Sequence, residues 1–72
     1  MTAQQWIDQI VELVKRNSGQ YGQQGPWHTA IPNEDPLLRL AVAEGVKANP
    51  WIVAQGMTTD VRPNGVWVRR LR

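Results

Sequence analysis

Apolar positions near the front of the chain fall at helical spacing. Trp6, Ile7, Ile10, Val11, Leu13 and Val14 make one broad stripe, and Asp8, Gln9, Glu12, Lys15 and Arg16 fall largely elsewhere. Thr2 and Gln5 have the Thr-x-x-Gln spacing in which each side chain caps the other's backbone N–H. Asn17-Ser18-Gly19 supplies residues that end a helix. The pattern predicts a helix over residues 3–17, give or take a few at each end. A second helix is predicted over residues 36–48. Asp35 is a good N-cap, and Pro36 follows at the first helical position, where its missing N–H costs nothing. Leu37, Leu38, Leu40, Ala41, Val42 and Val46 make this helix apolar on most sides, which places it at the centre of the packing. Gly45 weakens it, and Asn49-Pro50 ends it.

Beyond Pro50 the pattern changes. Trp51-Ile52-Val53-Ala54 is rich in β-branched residues and runs on through Gly56 to Thr58-Thr59, which reads as a strand with a bulge at the glycine. Arg62-Pro63-Asn64-Gly65 has turn chemistry, with proline at the first central position and a glycine able to take the left-handed conformation. The last run alternates: Val66, Val68, Arg70 and Arg72 on one face, Trp67, Arg69 and Leu71 on the other. A β-hairpin over residues 51–72 follows. Residues 18–35 read as a loop or a short extended segment, with Trp27 and Ile31 pinning it to the core. So long a structureless stretch is unusual in a small domain, so either the loop is functional or a short element hides there.

The fold class expected is α+β: two main helices followed by a C-terminal antiparallel β-hairpin, in one small domain. With 72 residues, the chain buries only about 60% of its unfolded surface. A pocket of roughly 300–1,000 Å³ would take up much of that core, which argues against a small-molecule enzyme. There is no cysteine, so neither disulfides nor thiolate metal sites contribute. No apolar run approaches the ~20 residues of a membrane helix, and the front of the chain lacks signal-peptide features. The cytoplasm is the simplest expected location, with no membrane association.

Catalytic and metal chemistry find little support. A Ser18–His28–acid arrangement would sit in a flexible loop. His28 with Glu34 and Asp35 lacks the spacing of a metal motif, and the two acids suit the positive end of the second helix better. Gly19, Gly22 and Gly25 recur every third residue, but no strand leads into them as in a phosphate loop. No catalytic residue, metal or cofactor is expected, and the protein reads as a non-enzyme.

Charge is distributed unevenly. Residues 1–44 carry Lys15, Arg16 and Arg39 against Asp8, Glu12, Glu34, Asp35 and Glu44, a net −2. Residues 45–72 carry Lys47, Arg62, Arg69, Arg70 and Arg72 against Asp60, a net +4. A basic C-terminal half suits an anionic partner, although an ordinary solvated hairpin can also be rich in arginine. Trp6 and Trp51 sit where a core would use them, whereas Trp67 lies among arginines. An indole in a basic strand can stack on a nucleobase while its neighbours hold phosphates.

Two helices followed by a hairpin with a basic tip resemble the winged-helix DNA-binding fold. Arg62-Pro63-Asn64-Gly65 would be the tip of the wing, Val66-Trp67-Val68-Arg69-Arg70 its return strand, and the second helix the recognition helix. The likeness is one of topology. Glu34 and Asp35 would repel phosphates at the start of that helix, so the hairpin is expected to make most contacts.

Two function classes follow. The first is a non-catalytic nucleic-acid-binding or DNA-associated regulatory domain, with DNA favoured over RNA. Arg62, Arg69, Arg70 and Arg72 would contact phosphates, Trp67 would stack or pack beside them, and Arg39 and Lys47 would be secondary. Four to six such contacts imply a log–log salt slope of roughly −4 to −5. The second is a protein-interaction module, a subunit, adaptor or inhibitor, using exposed Trp and Arg side chains and a hairpin edge, with a homodimer compatible.

Overall fold

The computed structural model describes residues 2–31 and 35–71. Its elements run α1 (Ala3–Gly19), β1 (Trp27–Ala30), α2 (Pro36–Lys47), α3 (Pro50–Ala54), β2 (Met57–Arg62) and β3 (Gly65–Arg70). The α+β class and the C-terminal antiparallel hairpin are as the sequence predicts. The capping box forms in full: the Gln5 N–H donates to Thr2 Oγ1 at 3.2 Å, and the Thr2 N–H to Gln5 Oε1 at 2.8 Å. Asp35 caps α2 by accepting from the Leu38 N–H at 3.0 Å.

One expectation is corrected. The segment Trp51–Ala54 is a helical turn, so the hairpin spans residues 57–70 and not 51–72. Asn49 causes this: its Oδ1 accepts from the N–H groups of Trp51 and Ile52 at 2.9 and 3.3 Å, and Pro50 sits at the first helical position. Capping and the burial of Ile52, which is fully enclosed, outweigh the strand propensity of Ile-Val. Gly56, at φ +68°, then ends α3 and is not a strand bulge, its N–H donating to the Val53 carbonyl at 3.0 Å. Within residues 18–35 the short extended segment that the sequence allows is a strand. β1 pairs antiparallel with β3, giving the order β1-β3-β2 with β3 in the centre.

The helices cover one face of this sheet. α1 packs on α2, and α2 and α3 pack on β2. The core joins Ile10, Val11 and Val14 of α1, Val42, Ala43 and Val46 of α2, and Ile52 to Trp27, Ile31, Met57, Val66 and Val68. Each large side chain so buried contributes about 1.5–3 kcal/mol. Trp27 and Ile31 do pin the connecting segment, at 6% and 3% exposure. Trp6 and Trp51 pack half-buried against the same cluster.

Two close approaches set the layers. A β-carbon on Gly45 would overlap Ile7 Cδ1, so this glycine leaves the space on α2 that the Ile7 side chain of α1 fills. Thr59 Oγ1 on β2 donates to the Ala43 carbonyl of α2 at 3.0 Å, joining helix layer to sheet.

Candidate functional site

Strand alternation divides the side chains of the sheet between two faces. Trp27, Thr59, Val66 and Val68 point toward the helices, along with Met57. On the opposite face, His28 of β1 and Asp60 of β2 are the direct cross-strand neighbours of Trp67. One rung therefore reads His28–Trp67–Asp60. The rung beside it pairs Thr58 with Arg69, and the rung at the hairpin end joins Ala30, Gly65 and Arg62.

The contacts on this face are specific. The His28 and Trp67 rings stack with centroids 4.8 Å apart and planes inclined by 29°. The Arg62 guanidinium carbon lies 5.6 Å from the Trp67 ring centroid, within cation–π range. Arg69 Nε donates to Asp60 Oδ2 at 2.6 Å, a charge-assisted bond whose side chains are 47% and 34% exposed. Gly65 makes room for the arrangement, since a β-carbon there would stand 2.9 Å from His28 Nε2. His28, Arg62 and Arg69 are exposed and Trp67 is half-buried. The indole Nε1–H of Trp67 is covered but has no hydrogen-bond partner.

Of the seven residues singled out in the sequence, the structure brings Arg62, Trp67 and Arg69 together on this face. Arg70 belongs to the other face, as alternation predicts. It lines a hollow of about 400 Å³ with Gln55, Gly56 and Leu71 at the end of α3. Arg39 is only 8% exposed and is engaged within the fold, so it is not displayed at the surface. Lys47 is exposed in the last turn of α2, in the helix layer on the far side of the sheet from Trp67. Arg72 and Glu34 lie outside the described residues.

Two members of the face carry no signal in the sequence that marks them. His28 reads as a loop histidine until β1 is paired with β3 and sets it opposite Trp67. Asp60 enters the sequence reading only as a charge, yet it holds Arg69. Among the described residues, no group of three or more His, Asp or Glu side chains could hold a metal, and no helix is long and apolar enough to cross a membrane.

Comparison with protein-family models, with curated proteins and with solved structures gives no match.

Proposed function

We propose that the protein is a non-catalytic nucleic-acid-binding domain, and that it binds through the outer face of its sheet. The observation that carries this reading is the cluster on Trp67: an indole flanked by a stacked imidazole and an arginine, with a second arginine on the same strand. Aromatic rings beside guanidinium groups serve bases and phosphates together. The winged-helix likeness stays one of topology: α2 and then α3 precede the hairpin, and β1 pairs with its return strand. α3, directly before the hairpin, has only the side chains Pro50, Trp51, Ile52, Val53 and Ala54. None of them can pair with a phosphate, so the reading rests on the hairpin and β1.

The charge available is smaller than the sequence suggests. Arg62 and Arg69 share the face, and Asp60 partly neutralises Arg69. Two phosphate contacts imply a log–log salt slope of about −1 to −2 rather than −4 to −5. The experiment is a fluorescence-anisotropy titration of labelled oligonucleotides at low and moderate salt. Binding with this shallow slope, weakened by Arg62→Ala, supports the reading. Absence of binding at low salt to any single- or double-stranded oligonucleotide would sink it.

A second reading has an observation of its own. Leu37 and Leu40 stand exposed on α2 at 75% and 49%, three residues apart and hence on one side of the helix. Such a stripe favours a protein-interaction module.

A further inference from the structure

Resting on the reading above, we infer that the nucleic acid bound is single-stranded, with unpaired bases stacked against the His28–Trp67 pair. Three observations point this way. First, the aromatic groups stand on a sheet face and not at the end of a protruding helix. Base pairs in a duplex are stacked on one another, so their π faces are closed to a protein platform. Unpaired bases offer those faces freely.

Second, the imidazole side of the pair is accessible. On that side the next positions toward the hairpin end are Ala30 and Gly65, while Arg62 of β2 lies over the Trp67 ring. His28 is exposed on an edge strand, so a base can reach the imidazole from solvent without displacing the core. Third, the polar groups are of the right kinds and on both sides of the aromatic rung. Arg62 lies toward the hairpin turn and Arg69 away from it, a spacing that lets a backbone run along β3 with phosphates at both ends. On the aromatic rung itself, Asp60 holds Arg69 in place.

A duplex reader needs a different surface. It would present cations on an element able to enter a groove. Here α3 is a single turn without charge, and among the described residues the two cations of the face, Arg62 beside the hairpin turn included, are engaged with Trp67 and Asp60 and do not project as a row along the ribbon. Deoxyribose and ribose strands share the chemistry invoked, and the experiment separates them.

The test is a titration of the intact chain with short oligonucleotides of about a dozen nucleotides, long enough to cover one small platform. Four probes of one length are used: a mixed-sequence DNA strand, the RNA strand of the same sequence, the DNA duplex, and a DNA strand whose bases are replaced by abasic sites. Tryptophan emission and anisotropy are both read. The inference expects at least about tenfold tighter binding of a single strand than of the duplex or the abasic strand, with quenching of emission. His28→Ala, at an exposed edge position, should weaken that binding severalfold, whereas Arg16→Ala on α1 should not. Preference for the DNA or the RNA strand identifies the source, and either supports the inference. Equal or tighter binding of the duplex, or undiminished binding of the abasic strand, would overturn it while leaving the nucleic-acid reading intact. Failure of all four probes would remove both.

Discussion

Gly65 of β3 lies so close to Thr29 of β1 that a β-carbon on the glycine would overlap the threonine's carbonyl oxygen. The same atom would meet the His28 imidazole, and the backbone there has φ +152°. Gly65→Ala should therefore push β1 away from β3 and cost roughly 2 kcal/mol or more. Urea denaturation followed by circular dichroism checks the stability. The His28–Trp67 stacking should loosen at the same time, visible as a change in tryptophan emission before denaturant is added.

Gly45 and Gly19 separate helix propensity from packing. Alanine normally stabilises a helix interior relative to glycine by up to about 1 kcal/mol. At Gly19, where nothing lies within 4 Å of the added carbon, Gly19→Ala should stabilise by about 0.5 kcal/mol. At Gly45 the added carbon overlaps Ile7, so Gly45→Ala should destabilise by about 1 kcal/mol despite the better propensity. In an Ile7→Ala background the Gly45→Ala change should become stabilising, and equilibrium denaturation of the four chains reads that change of sign.

Asn49 decides that Trp51–Ala54 is helix and not strand. Asn49→Ala removes the acceptor for two N–H groups and should cost about 1 kcal/mol. Amide hydrogen exchange should show faster exchange at Trp51 and Ile52, with α1 little affected.

These residues also show what a sequence discloses. α1, α2 and the turn at Pro63-Asn64 are legible because their determinants are local: a capping box, a proline after its cap, an apolar period. α3 is hidden because three successive β-branched or aromatic residues, Trp51 to Val53, resemble a strand when the asparagine cap before them is read only as the stop signal of α2. β1 is recognisable as an extended segment, but its partner is set by long-range pairing that no local pattern encodes. The face around Trp67 depends on that pairing. Alternation along β3 suffices to put Arg69 and Arg70 on opposite sides, whereas placing His28 against Trp67 requires the register. Arg39 is misread for a related reason: charge alone suggests the surface, and only tertiary packing shows that its side chain is enclosed.

Asp60 restrains Arg69 and should therefore oppose binding of an anion. Asp60→Asn removes one negative charge from the face and frees the guanidinium. Affinity for an oligonucleotide should rise about two- to fivefold at low salt, and the gain should shrink as salt is added. The exposed ion pair itself contributes less than about 1 kcal/mol to folding, so the variant should denature close to the wild type. Anisotropy titrations at two salt concentrations check the first statement and urea denaturation the second.

The central claim is that the sheet face opposite the helices is where nucleic acid binds. Two-dimensional ¹H–¹⁵N NMR of the labelled protein, titrated with a single-stranded oligonucleotide, tests it residue by residue. The account predicts that shifts gather at His28, Asp60, Arg62, Trp67 and Arg69, including the Trp67 indole N–H, which has no hydrogen-bond partner in the free protein. Shifts centred on Leu37, Leu40 and Lys47 of α2, with the Trp67 indole unmoved, would contradict it.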